Sequence, residues 1–219
     1  MKKTYSEENY LKAIYHINRS ENKVSPKAIA DALENNPASV IDMLKKLQEK
    51  KLITYDKVQG AVLTHSGEAT ALDIIRKHRL WEVFLVEKLH YDWDEVHDIA
   101  EQLEHIHDDK LAKKLDDFLG NPAFDPHGDP IPAPNGKMPV YANKRLGEIE
   151  AGQSCKVGSV RDTSTPFLKY LKQLHVGLGS KIEVLDRMEF DQSMVIKIDG
   201  GEAKTVSSKM TDNILVILQ

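Results

Sequence analysis

Residues 25–64 read SPKAIADALENNPASVIDMLKKLQEKKLITYDKVQGAVLT, and this stretch decides the fold of the front of the chain. Ser25-Pro26 is a helix start. The serine can cap the first turn, and the proline sits at the first helical position, where its missing N–H costs nothing. That helix is short, about Pro26 to Leu33. Asn36-Pro37 repeats the signal. The helix that follows, Ala38 to Lys50, turns Val40, Met43, Leu44 and Leu47 to one side. Two β-patterned runs come next, Leu52-Ile53-Thr54-Tyr55 and Ala61-Val62-Leu63-Thr64. Asp56 to Gly60 separates them, which predicts a hairpin. Working upstream, Tyr10, Leu11, Ile14 and Ile17 recur at helical spacing, so residues 6–18 form an amphipathic helix. Helix, short helix, tight connection, helix, hairpin is the order of a winged helix-turn-helix over residues 1–70.

A small α+β domain without nucleic acid shows the same order. The second helix of the pair tips the reading towards DNA. Asn36, Pro37, Ala38, Ser39, Asp42, Lys45 and Lys46 form its start and non-core face, small or polar first and basic further on. A recognition helix sets its N-terminal residues at base edges and its basic groups at phosphate. Asp42 can accept from cytosine N4. Lys50, Lys51 and Lys57 extend the basic rim towards the hairpin.

Downstream, residues 67–89 predict one long helix, Asp92 the cap of a helix over 93–106, and 108–119 a third helix stopped by Gly120. Trp81, Phe84, Leu85 and Leu89 offer a dimer interface or an internal packing surface. Residues 120–142 carry six of the nine prolines and read as an extended, semi-rigid connector. From 143 the pattern switches to short strands at Cys155 to Val160, Lys181 to Leu185, Ser193 to Ile198 and Asn213 to Leu218. A short helix at Thr165 to Leu174 precedes a glycine turn. This suggests a small SH3-like barrel. The fold class expected is mainly α with small β parts, in three domains: 1–70, winged helix-turn-helix; 71–142, helical, for dimerisation and metal binding; 143–219, SH3-like.

The chain has 219 residues and a formal charge of −4, which excludes a uniformly basic nucleic-acid coat. The charge is unevenly spread. Residues 1–57 hold 11 basic and 8 acidic side chains, and residues 75–130 hold 7 and 14. The front is therefore at 11 − 8 = +3 and the middle at 7 − 14 = −7. The acidic stretch also holds six of the nine histidines. A lone cysteine, Cys155, excludes an internal disulfide and a thiolate-rich metal site. The longest aliphatic run, Ile214 to Leu218, is far too short for a membrane span, and the N-terminus lacks a signal-peptide core. A cytoplasmic protein without membrane partner is expected.

Within the predicted helix 93–106, His97, Glu101, Glu104 and His105 fall within an arc of roughly 100° on one face. A solvated polar face is the ordinary explanation. Glu101 and Glu104, however, are like charges three apart, mildly destabilising unless a cation lies between them. His78 and Glu82 repeat the pairing on the preceding helix. His90, His107 and His127 read as surface residues. Carboxylate and imidazole without thiolate suit Mn²⁺ or Fe²⁺, with selection by geometry and supply. The chain has no His-Glu-x-x-His and no nucleophile-elbow glycine pattern, so a metallohydrolase is the weaker class, and a metal-storage or metal-delivery protein whose front domain only binds partners is a third.

These residues resemble the diphtheria-toxin-repressor family of metal-dependent transcriptional regulators, most of all its manganese-responsive branch. The resemblance rests on Tyr10-Leu11-Lys12-Ala13-Ile14-Tyr15, Arg76-Lys77-His78-Arg79-Leu80-Trp81-Glu82, Val96-His97-Asp98 through Glu104-His105, and Asp125-Pro126-His127-Gly128-Asp129-Pro130-Ile131-Pro132. The C-terminal segment resembles the SH3-like domain, akin to a small ferrous-transport accessory protein, of longer members. The resemblance implies a primary site of Glu101, Glu104 and His105 with Asn9 from the first helix. It implies an ancillary site of His78, Glu82 and His97, completed near Asp162 or Ser164. Iron-responsive members carry cysteine where Glu101 stands, so glutamate there is the manganese-type choice. Asn9 departs from the methionine or aspartate usual in the family. The implied protein is a non-enzymatic homodimer that takes up to two Mn²⁺ per subunit, Fe²⁺ being the alternative. It binds a double-stranded palindromic operator, without a small organic substrate, and represses metal-uptake genes.

Overall fold

The computed structural model describes residues 3–21, 23–139 and 144–218. The expected domain boundary at 142/143 lies outside the described residues. Two compact units interleave along the chain. The first comprises Met1–His78, Glu101–Asp109 and Pro132–Lys137, and the second Arg79–Ala100, Lys110–Ile131 and Met138–Gln219.

In the first unit, α1 (Tyr5–Ser20) opens with a capping box: Glu7 N–H donates to Thr4 Oγ1 and Thr4 N–H to Glu7 Oε2. Ser25 caps α2 (Pro26–Ala32) and Asn36 caps α3 (Pro37–Glu49), each with proline in the first turn. Val40, Leu44 and Leu47 of α3 are fully buried, together with Leu11 and Ile14 of α1 and Ile29 of α2. Met43 is only half-buried. The hairpin β1 (Ile53–Asp56) and β2 (Gly60–Leu63) is antiparallel with Ile53 opposite Leu63. Gly60 has φ +84, and a Cβ there would lie 2.4 Å from the Val24 carbonyl oxygen, so the wing needs glycine at this position.

Helix α4 (His65–Leu89) runs the length expected. The helix expected over 93–106 is shorter, α5 (His97–Leu103). Residues 92–95 form a turn instead: Glu95 N–H bonds the Asp92 carbonyl at 3.0 Å, and Asp92 N–H bonds Glu95 Oε2 at 3.3 Å. Trp93 is thereby released to pack on the C-terminal core of the second unit. At the other end, Ile106 N–H bonds the Leu103 carbonyl at 3.2 Å, a tightened last turn. Glu104 and His105 thus lie beyond the helix.

In the second unit, α6 (Asp109–Phe118) helps to bury Leu80, Val83, Leu115 and Ile131, with Trp81, Phe84 and Leu119 at the margin. The proline-rich stretch is not a simple extended connector. Asp125 Oδ1 accepts from the N–H groups of His127 (2.8 Å) and Asp129 (2.9 Å), and Ile131 N–H bonds the Ala123 carbonyl at 2.9 Å. An aspartate accepting from its own following backbone folds the chain into a turn. Arg79 holds that turn from α4, donating to the Pro130 carbonyl and to Asp129 Oδ2.

The C-terminal part is a six-stranded antiparallel sheet ordered β3-β8-β4-β5-β6-β7. The four strands expected are β4 (Ser154–Val160), β5 (Lys181–Arg187), β6 (Met194–Ile198) and β8 (Ile214–Leu218). The edge strands β3 (Lys144–Arg145) and β7 (Ala203–Val206), and the short α8 (Ser208–Asp212), were not marked by the sequence. Helix α7 (Thr165–Leu174) lies where its sequence places it. Alternate residues of the strands and Leu168 and Leu171 of α7 form one core. Among the described residues, no helix is long and apolar enough to cross a membrane.

Candidate metal centre and nucleic-acid interface

The first unit gathers donors from α1, α4 and the segment after α5. Glu8, Asn9 and Lys12 share a face of α1 through their i+3 and i+4 spacing. His78 comes from α4, Glu101 from α5, and Glu104 and His105 from the turn beyond. His78 Nδ1 is 2.7 Å from Glu104 Oε2 and 3.9 Å from Glu101 Oε1. His105 Nε2 is 3.7 Å from Glu104 Oε1. Glu104, His105 and His78 are buried.

Glu8, which the sequence did not single out, orients His105. Its Oε2 accepts from His105 Nδ1 at 2.7 Å, and the Tyr5 ring stacks on the imidazole at 4.7 Å. A carboxylate on one ring nitrogen fixes the tautomer and leaves the other nitrogen as an electron-pair donor. Here that donor is Nε2, the nitrogen facing Glu104. His107 Nδ1 lies 3.6 Å from the other Glu8 oxygen, on an exposed ring. Lys12 is the second unforeseen member: its ammonium lies between Glu101 and Glu104. The sequence signal for them is the i+4 spacing of Glu8 with Lys12 and the i+3 spacing of Asn9 with Lys12.

Asn9 Oδ1 is buried and has no hydrogen-bond partner among the described residues. An orphaned buried carbonyl costs free energy unless a cation or donor meets it. Two carboxylates, a tautomer-fixed imidazole and this amide oxygen make up an oxygen-rich, thiolate-free set of donor types. It fits a hard to borderline divalent ion of high coordination number, which Glu101, Glu104, His105 and Asn9 would hold.

The three residues expected at the ancillary site divide between the units. His78 belongs to the first, Glu82 and His97 to the second. In the second unit, Glu82 Oε1 is 3.6 Å from His97 Nδ1, and Glu82 Oε2 is 3.5 Å from His127 Nδ1. Glu82, Asp125 and His127 offer ligand atoms that all lie within 4.8 Å of one another, and all three side chains are buried. The surface placement expected for His127 is therefore wrong: it is 1% exposed. The Asp125 turn carries it inward, and its Nε2 donates to the Trp93 carbonyl at 2.9 Å, which leaves Nδ1 towards Glu82. Burial opposes a charge on this ring, but the facing Glu82 and the nearby Asp125 outweigh it and raise its pKa to about 9. Burial also raises the Asp125 carboxyl, helped by Glu82 and Asp129 against the pull of Arg79 and His127. His90 is exposed. Asp162 Oδ1 accepts from Ser164 N–H at 2.9 Å, and Ser164 is the N-cap residue of α7.

On α3, Pro37, Ala38, Ser39, Asp42, Lys45 and Lys46 are exposed, and Asn36 spends its Oδ1 on Ala38 N–H at 2.8 Å. Lys45 pairs with Asp42 at 3.3 Å. Lys46 and Lys50 converge on Glu7 Oε1, at 3.0 Å and 2.6 Å. Burial disfavours the Glu7 carboxylate, yet the two ammonium groups hold its pKa down at about 2.

A winged helix-turn-helix joined to helices that collect carboxylate and imidazole defines a metal-responsive DNA-binding regulator. The comparisons with known proteins agree. Family models for the iron-dependent repressor match here, its N-terminal DNA-binding domain over residues 3–61 and its metal-binding and dimerisation domain over 64–133. A FeoA domain matches residues 144–218. A manganese-dependent transcriptional repressor solved with manganese is 36% identical over 97% of this chain and 100% of its own, with a TM-score of 0.88. The manganese regulator SloR is 34% identical over 97% of this chain and 98% of its own, with a TM-score of 0.79. The iron-dependent repressor IdeR of Mycobacterium leprae is 27% identical over 96% of this chain and 87% of its own. The chain belongs to the diphtheria-toxin-repressor family of metal-dependent transcriptional repressors, with the long, FeoA-bearing architecture. That family is one of DNA-binding repressors, not of enzymes.

Proposed function

We propose that the chain is a cytoplasmic, Mn²⁺-responsive homodimeric repressor that binds a palindromic operator and shuts off metal-uptake genes. The observation that carries this reading is the first unit's donor types: Glu101, Glu104 and His105 without sulfur, with a buried, unpartnered Asn9 oxygen on α1. Thiolate is absent from this set, and carboxylate and amide oxygens suit Mn²⁺, its selection over zinc coming from geometry and supply. A second ion would use Glu82, Asp125 and His127, with His97 at their edge, giving up to two per subunit.

The same helix that carries Glu8, Asn9 and Lys12 also carries Glu7, which grips α3. An ion drawing on α1 would therefore bias the setting of the recognition helix. Two such helices would enter the major groove at half-sites about one helical turn or a multiple apart. Exposed Leu89, Leu111 and Phe118 of the dimerisation domain supply apolar surface for a second subunit. Two divalent ions would also take the formal charge from −4 to −4 + 4 = 0, reducing repulsion from DNA.

A gel-shift titration of operator DNA with Mn²⁺, anaerobic Fe²⁺ and chelator tests the reading. Metal-dependent retardation is expected, strongest with Mn²⁺. Glu101→Ala should lose that dependence while remaining folded. Equal DNA affinity with Mn²⁺ and with chelator would overturn it.

A further inference from the structure

We propose that Lys12 is a built-in competitor for the metal: its ammonium occupies the divalent-ion position between Glu101 and Glu104, and the work of displacing it sets the metal threshold of the site. This rests on the reading that these carboxylates hold a divalent ion. The ammonium is 2.5 Å from Glu101 Oε1, 2.7 Å from Glu104 Oε1 and 2.9 Å from Glu104 Oε2. An ammonium has three protons, and three carboxylate oxygens take them. Lys12 is only 14% exposed and Glu104 is fully buried, so water does little to screen the pair.

An ion bound to the same oxygens would sit at about 2.0–2.6 Å from them, inside the space the ammonium fills. The two cations are mutually exclusive there. A monovalent group that satisfies Glu101 and Glu104 removes the repulsion that would otherwise drive metal uptake. The site then responds only when the divalent ion is abundant enough to outcompete a tethered charge. Nearby Glu8 does not compete for the lysine, because it is occupied with His105 and His107.

Lys12→Met keeps the length of the side chain and removes the charge. Mn²⁺ affinity of the DNA-free full chain is read from free Mn²⁺ by electron paramagnetic resonance. Apo and loaded melting temperatures are read alongside. Lys12→Met should bind Mn²⁺ at least about tenfold tighter, which is about 1.4 kcal/mol. Its apo form should melt lower, since Glu101 and Glu104 then face each other unneutralised. Lys12→Arg should stay within about threefold of the parent, because the cation is retained. Combining Lys12→Met with Glu101→Gln should abolish the gain, assigning it to this cluster. Affinity in Lys12→Met equal to or weaker than the parent would overturn the proposal, as would a gain that survives Glu101→Gln. No DNA enters the measurement. Mn²⁺ binding that obeys these expectations but leaves operator affinity unchanged would sink the repressor reading and leave the Lys12 assignment standing.

Discussion

Glu7 ties the first helix to the recognition helix, and replacing it with glutamine isolates the value of its charge. The carboxylate is 0% exposed, with Lys50 Nζ at 2.6 Å and Lys46 Nζ at 3.0 Å. The same residue caps its own helix through Thr4 N–H, and a glutamine oxygen can keep that bond. Its pKa is held from 4.5 down to about 2. A shift of about 2.5 units is worth roughly 3 kcal/mol at full value. The lysines are 18% and 47% exposed and recover water when released, so the loss expected for Glu7→Gln is nearer about 2 kcal/mol. Glu7→Ala should cost about 1 kcal/mol more, from the cap. The sign in pH follows from a folded pKa below the unfolded one. The stabilisation is complete above about pH 4.5 and fades as pH falls towards 2. Amide exchange across α1 and α3 at neutral pH, with chelator present to remove metal linkage, reports the local stability. Urea unfolding at pH 7 and pH 3 reports the charge dependence. The gap between parent and Glu7→Gln should shrink to less than about half at pH 3. A gap below about 0.5 kcal/mol at pH 7, or one that does not change with pH, would refute the argument.

Three further outcomes are expected. His127→Ala should lower stability by about 3 kcal/mol, read in a melt with chelator, because Glu82 and Asp125 would stay buried without their counter-charge; an unchanged melting temperature would show that the imidazolium is not needed. Gly128→Ala should destabilise by more than about 2 kcal/mol, since φ there is +83 and a Cβ would lie 2.1 Å from the Gly158 carbonyl oxygen; normal stability would mean the turn relaxes cheaply. Lys45→Ala should weaken operator binding across sequences and reduce the salt slope by about 1, whereas an unaltered slope would remove Lys45 from the phosphate contacts.

What could be read from the sequence follows the range of the interactions. The starts of α2 and α3 were legible because Ser25 and Asn36 meet backbone donors two or three residues away. The strands at 155, 181, 193 and 213 alternate, and alternation is local. Glu104 and His105 were found through a helix that stops at Leu103. Their types and nearness in sequence carried the inference, while their actual placement comes from partners about ninety residues away, Lys12 for Glu104 and Glu8 for His105. No periodicity expresses such a pair. His127 was missed for a related reason. A proline-rich stretch looks extended until Asp125 turns back on its own backbone, and only then does the imidazole meet Glu82.

Charge shows the same limit most sharply. Counting gave the front of the chain a balance of +3, which pointed to DNA. In the structure Lys46 and Lys50 pair with Glu7 and Lys45 with Asp42, acids already inside that balance, while Lys12 is engaged by Glu101 and Glu104, which lie outside it. The positive potential that phosphate would meet is therefore smaller than the sequence count. It is also conditional. A divalent ion at Glu101 and Glu104 would add its own charge and return the Lys12 ammonium to solvent, on the helix that holds α3. The field at the DNA-facing unit would then rise by more than the ion alone contributes locally, and metal and operator would be coupled through charge as well as through shape. Because linkage is reciprocal, operator DNA must favour the state in which Lys12 is free, so DNA should tighten metal binding by a larger factor in the parent than in Lys12→Met.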